Sequence, residues 1–349
     1  MSSVPQARLS TSLIATLDIA RAIAALYVIA HHVAQANNWT QGFGFVLKFG
    51  SEAVIIFFIL SGFVIYANEH VRYANLNSYF LRRFLRIYPT LIASIIIASI
   101  VAIDNGNFIS QFSWVELIGN LFNLQDISYL KPGVIISPFL KNEPLWSLSY
   151  EVLFYAVFPF AIKIYRSNPS LTDNLIGVGC CLSYISFFLW PNHFSLVLSY
   201  FIIWWTGAMI ARSYLHGYRS FFRVGYSLIW LMVLILIASI VVIYDGFDGF
   251  YRYPFLQVRH FVFALIAVLL IFSPIGRFIN LVIKRFSISL TYIASVSYGL
   301  YLFHFPLLIQ SFRSKSALGF LGMVIVLVIA SHLFDRGIKA RLAKSYPKS

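Results

Sequence analysis

The 349-residue chain is 60% hydrophobic and only 11% charged, with a mean hydropathy of +0.80, far from the roughly 45–50% apolar and about 25% charged content of a soluble domain. This composition excludes an ordinary soluble enzyme and points to an all-α, polytopic membrane protein. The net charge of +14 would suggest nucleic acid in a soluble chain, but here Lys and Arg report topology, and no nucleic-acid partner is expected.

Ten apolar segments of helical length follow one another, at roughly 13–35, 45–67, 84–103, 145–165, 174–190, 194–212, 225–244, 258–274, 288–310 and 317–335, each near the ~20 residues a span needs. The first lacks a strong basic n-region and runs through Asp18 and Arg21, so it reads as a retained helix and not a cleaved signal. Placing the N-terminus inside leaves eighteen Lys and Arg on the cytoplasmic side against seven outside, with Arg21 buried. Both termini are therefore expected in the cytoplasm. The expected organisation is a cytoplasmic segment 1–12, a membrane domain 13–335 and a basic cytoplasmic tail 336–349. Cys180 and Cys181 are adjacent in an apolar run, which gives neither a disulfide framework nor metal-ligand spacing, so buried thiols and no metal site are expected.

The first helix, LDIARAIAALYVIAHH over 17–32, poses the sharpest question. At ~100° and ~1.5 Å per residue, His32 returns to within ~20° of Arg21, ~16 Å along the axis, and Asp18 lies ~40° from His32 while His31 is rotated ~100° away. Ionisable groups are costly in hydrocarbon unless they face a bundle interior, so an aligned acid, base and imidazole marks a functional face. In the second helix, FFILSGFVI at 57–65 offers Ser61 and Gly62 for close packing, with Glu52 at its outer end. LRRFLRIYP at 81–89 places Arg82, Arg83 and Arg86 at the cytoplasmic end of the third helix. Arg83 and Arg86, at i,i+3, share a face suited to phosphate, although a topogenic anchor explains three arginines equally well.

The loop 104–144 is expected outside. Its Phe112, Val115, Ile118 and Phe122 recur at helical spacing, which fits an interfacial amphipathic helix that either lids a site or seals the bundle. Trp39, Trp114, Trp146 and Trp190 fall near the outer boundary, where an aromatic belt is expected and Trp146 is a candidate for sugar stacking. The fourth helix carries Glu151 into the apolar region, and the ninth, ending SYGLYLFHFP, does the same for His304. By helix direction, His32, Glu52, Glu151 and His304 are expected in the outer third of the bilayer and the arginines at its inner edge. A ligand joining them needs phosphates at one end and a slender reactive arm of some 15–20 Å, the scale of the helix rise from Arg21 to His32. Coenzyme A has that shape.

These blocks resemble the acyltransferase 3 family of membrane-bound O-acyltransferases. Leu17-Asp18-Ile19-Ala20-Arg21 followed by His32 is similar to the family's LDGLRaiAa…H block. FFILSGFVI resembles FFvLSGfli, RRFLRIYP resembles RRxxRIyP, LWSLSYEVLFY resembles lWSLsxExxFY, and SYGLYLFHFP resembles SYxlYLxHxP. The five blocks occur in family order along the whole chain. Ile55 departs from the acidic residue many members carry before the FF pair, and Glu52 does not replace it. The sequence reaches no hydrolase-like domain after the tenth helix, as in members similar to exopolysaccharide and lipopolysaccharide acetyltransferases.

The resemblance implies a bacterial inner-membrane enzyme that moves an acyl group, most simply acetyl, from cytoplasmic acyl-CoA to a hydroxyl of a cell-surface glycan or lipid-linked saccharide. Acyl-CoA is then a donor substrate, and no permanently bound cofactor is expected. His32 is the expected general base, with Arg21, Asp18 and Glu151 completing the catalytic set. Arg82, Arg83 and Arg86 are expected to bind the donor, and His304 and Trp146 the acceptor, with Glu151 and His304 also able to orient His32. An acyl-enzyme route remains open. A transporter or flippase for a lipid-linked sugar is the alternative reading, because intramembrane His, Glu and Arg also mark substrate pathways.

Overall fold

The computed structural model describes residues 9–73, 75–217, 224–274, 276, 287–338 and 341. Expected cytoplasmic residues Arg8, Arg219, Arg223, Arg277, Lys284, Arg285 and most of the tail lie outside them. Ten helical stretches in the described residues are long and apolar enough to cross a membrane. The all-α expectation holds: among the described residues the extended pairing is limited to one isolated bridge, Gln125 to Ile136.

The principal helices are α1 (Thr11–Ala36), α2 (Gly50–Glu69), α3 (Leu76–Asp104), α4 (Trp114–Leu121), α5 (Trp146–Ser167), α6 (Pro169–Leu189), α7 (His193–Ser199), α8 (Phe201–Leu215), α9 (Gly225–Asp245), α10 (Phe255–Phe272), α11 (Ser287–His304) and α12 (Ala317–His332). Short polar side chains start many of them by accepting an otherwise unpaired backbone N–H. Ser10 caps α1, Asn75 caps α3, Asn168 caps α6 and Ser316 caps α12. Asn168 is followed by Pro169, whose missing N–H costs nothing in the first turn.

The third span begins at Leu76, earlier than the apolar run at 84 suggests, so the arginine block lies within α3 and not in front of it. The most intimate crossing is between α2 and α8. A Cβ on Gly62 would lie 1.9 Å from the Trp204 carbonyl oxygen, and one on Gly207 2.1 Å from that of Ile59. Glycine at both positions lets the two backbones touch, which makes α2 a fixed spine beside the site.

The long connection between α3 and α5 is built differently from the spans. Helix α4 keeps Val115 and Ile118 at 67% and 51% exposed, and Phe122 just past its end at 69%, so this apolar stripe faces away from the protein, as an interfacial helix requires. Phe112 precedes α4 in extended backbone and packs on Trp114 and Phe139. The rest of the connection is pinned down. Lys131 and Asp126 form an ion pair at 2.8 Å with side chains 2% and 0% exposed, and Asn142 donates to Ser94 Oγ and the Leu302 carbonyl. Burial pushes the Lys131 amine below its ordinary range against the opposing pull of Asp126.

Candidate active site

At one end of the bundle α3 presents its arginines to the last residue of α2. Arg82 grips Glu69 with two nitrogens, Nε at 2.9 Å and Nη2 at 2.6 Å, and Arg83 Nη2 reaches the same carboxylate at 3.0 Å. Glu69 is 2% exposed. The Arg83 guanidinium lies over the rings of Tyr79 and Tyr155, and its Nε is buried with no partner among the described residues. Arg86 lies over the Tyr298 ring. The three arginines are therefore not equivalent. Arg82, expected to bind the donor, borders the cavity but spends two of its donors on Glu69.

From these arginines a cavity of about 390 Å³ runs into the bundle, within the range of small-molecule sites. Arg21, Ser61, Glu151 and Tyr155 supply polar groups along it, between apolar walls that include Phe57, Phe58 and Leu148, and Tyr301 borders it as well. Arg21 is paired at 3.1 Å with Asp18, one turn earlier on α1, as their spacing predicts. Glu151 accepts from Ser61 Oγ at 3.1 Å and from the Tyr155 hydroxyl, and Trp204 Nε1 donates to Ser61 Oγ at 3.2 Å.

Glu151, expected toward the end of the bundle that holds His32, instead meets Ser61 and Tyr155. The fourth helical stretch starts at Glu143, which puts Glu151 ~12 Å along its axis, beside Ser61. Glu52 is paired with Arg259 of α10, both nearly buried, and belongs to a separate cluster under Phe49 and Phe250.

Beyond Tyr301 stand the two histidines. His32 Nδ1 and His304 Nε2 are 2.8 Å apart, and His304 Nδ1 lies 2.8 Å from the Tyr301 carbonyl oxygen and 3.1 Å from that of Leu300. A carbonyl only accepts, so His304 Nδ1 carries the proton and its neutral Nε2 must accept from His32 Nδ1–H. The bare lone pair of the dyad is then His32 Nε2. His31 points elsewhere, donating from Nδ1 to the Leu47 carbonyl at 2.6 Å and packing on Gly50, as the ~100° phase difference requires.

A family model described as an acyltransferase domain matches residues 14–334. The chain belongs to this acyltransferase domain family. Among curated relatives it is 34% identical over 156 residues to "Acyltransferase MdmB" of Streptomyces mycarofaciens, covering 43% of this chain and 39% of that protein. It is 25% identical over 342 residues to "Peptidoglycan O-acetyltransferase OatA" of Listeria monocytogenes, covering 86% of this chain and 50% of the relative. It is also 26% identical over 241 residues to "Nodulation protein 10" of Rhizobium leguminosarum bv. viciae, covering 61% of this chain and 63% of the relative. The chain thus spans less than two thirds of the length of each. No solved structure matches it.

In this acyltransferase-family chain His304 hydrogen-bonds the His32 ring and is itself held by main chain. Trp146 is 7% exposed, with Lys131 Nζ 4.1 Å above its ring and Phe58 and Tyr150 at its edges. It offers no open face to a sugar and packs the core beneath the loop. Sequence reasoning passed over Glu69, Tyr155 and Tyr298. The acid at the end of an apolar run, thirteen residues before Arg82 across a short connection, is the one signal that could have found Glu69.

Proposed function

We propose that this protein is a multi-pass O-acyltransferase of a bacterial inner membrane, which transfers an acyl group, most simply acetyl, from acyl-CoA to a hydroxyl of a cell-surface glycan. The observation that carries this reading is a shared residue, Tyr301, which borders the cavity while the histidines themselves do not. One cavity leads from Arg83 and Arg86 to Tyr301, and the Tyr301 carbonyl holds the His304–His32 pair. The name of the Listeria relative adds peptidoglycan to the acceptor classes worth testing.

In this reading Arg83 and Arg86 take the donor's phosphates through charge-assisted hydrogen bonds. The pantetheine arm lies along the apolar walls, with Ser61 and Glu151 beside it, and spans the ~16 Å of helix rise between Arg21 and His32. The acceptor hydroxyl loses its proton to His32 Nε2 as its oxygen attacks the thioester carbon. The new C–O bond replaces the C–S bond, and the departing thiolate takes the proton that His32 Nε2 accepted, which restores the neutral ring. A neutral imidazole, with an ordinary pKa of about 6.5, suits that task at neutral pH. Arg21, at the other end of that rise and paired with Asp18, borders the cavity beside the donor's arm.

The orientation that goes with this reading puts the arginine end in the cytoplasm. The test is release of free coenzyme A from acetyl-CoA, in step with ester formation on surface glycans, in membranes of a deletion strain carrying wild-type or His32→Ala protein at equal level. Ester formation without coenzyme A release, or full transfer by the His32→Ala protein, ends the proposal. Single cysteines in 104–144 should react with an impermeant maleimide from outside and those at 72–80 should not; the reverse pattern places the donor end on the wrong side.

A further inference from the structure

Glu69 holds two of the three arginines at the cavity mouth, yet does not itself border the cavity, whereas Arg82 and Arg83 do. Its carboxylate, 2% exposed, closes on Arg82 through two nitrogens and on Arg83 through one. Arg83 is further confined between the rings of Tyr79 and Tyr155, and its Nε has no partner among the described residues. Tyr155 in turn donates to Glu151. The carboxylate thus engages both guanidinium groups from outside the cavity lining.

We infer that Glu69 is a positioning residue for the donor: it makes Arg82 a strut and fixes the aim of Arg83, so that anionic groups of acyl-CoA are read by Arg83 together with Arg86. This rests on the acyl-CoA reading above. It has a consequence of definite sign. If the mouth bound anions through net charge alone, removing a buried carboxylate would strengthen binding. If geometry matters, losing the anchor weakens binding although the site becomes more positive, because a planar fork recognises phosphate only when its direction is held.

The experiment measures acyl transfer against acetyl-CoA concentration for Glu69→Gln, Glu69→Asp and the Arg83→Ala/Arg86→Ala double variant, each full length and purified in detergent, with thermal unfolding recorded alongside. Glu69→Gln should raise KM about tenfold with kcat nearly unchanged, the pattern of lost uniform binding. Glu69→Asp keeps the charge but shortens the reach, and should raise KM severalfold where a charge-only account predicts no change. Should Glu69→Gln fail to fold, Glu69→Asp alone carries the test. A lowered or unchanged KM in the Glu69 variants beside a raised KM in the arginine variant overturns the inference and leaves the acyl-CoA reading intact. A lower unfolding temperature with wild-type KM also overturns it, making Glu69 a purely structural brace. Wild-type KM in the Arg83→Ala/Arg86→Ala variant removes the donor reading itself, and the inference with it.

Discussion

The two ends of the candidate site hold their side chains by opposite means. At the arginine end the guanidinium groups are set by a buried carboxylate and by aromatic faces. At the histidine end the reactive ring is set by a second imidazole, and that one by main-chain carbonyls, with no carboxylate in the chain of contacts. A carboxylate behind a histidine favours the imidazolium, whereas a carbonyl fixes the tautomer and leaves the ring neutral. Under the proposed function, charge falls where the donor's phosphates would anchor and neutrality where a proton would be accepted.

The largest expected effect breaks the histidine end. His32→Ala should lower acyl transfer by roughly 10²–10⁴-fold, the usual worth of a general base, while His31→Ala stays within a few-fold at equal protein level. Equal losses would dissolve the distinction between the two rings. Next comes the tautomer argument. His304→Ala removes the acceptor that holds His32 Nδ1–H and should cost on the order of 10–100-fold, whereas His304→Gln, whose amide oxygen can accept the same proton, should recover part of it. A glutamine variant as poor as the alanine one would mean that His304 does more than orient its neighbour.

At the arginine end, replacing Arg83 and Arg86 by Lys keeps the charge and loses the fork. KM for acetyl-CoA should rise about tenfold with a modest change in kcat. Wild-type kinetics with correct insertion would show that charge suffices there, and would erase the contrast in how the two ends recognise their ligands.

The smallest effect on transfer is expected from a region outside the cavity. Replacing Lys131 and Asp126 together by Met and Leu should leave transfer within about twofold, because a buried ion pair exchanged for apolar packing is often neutral. Asp126→Ala alone strands the buried amine and should cost ~3–5 kcal/mol, read as a lower unfolding temperature. A large catalytic loss in the double variant would bring the loop into the site.

Much of this was legible in the sequence, and the failures have a common cause. Hydropathy placed all ten spans, and helical phase separated His31 from His32 and paired Asp18 with Arg21, because each depends on one helix alone. The errors arose where two helices meet. Helix direction alone puts Glu151 toward the His32 end, whereas its partner there is Ser61 of α2. Trp146 looked like a boundary tryptophan until the loop folded Lys131 onto its ring. Glu69 belongs to α2 and acquires meaning only through α3, so no periodicity within either helix could disclose it.

Helix α4 has a mechanical consequence. Its exposed Trp114, Val115, Ile118 and Phe122 form a float that settles at the lipid headgroup level. The loop it belongs to is tied through Asn142 to Ser94 and to the Leu302 carbonyl, two residues from His304. The depth at which the histidines ride beneath the membrane surface is therefore coupled to where α4 comes to rest. In bilayers of increasing acyl-chain length, hydrophobic mismatch should pull α4 and α3 apart at a cost of fractions of a kcal/mol per Å. Reconstituted protein should accordingly work best at one lipid thickness, and shortening the float with Val115→Ser and Ile118→Ser should flatten that optimum.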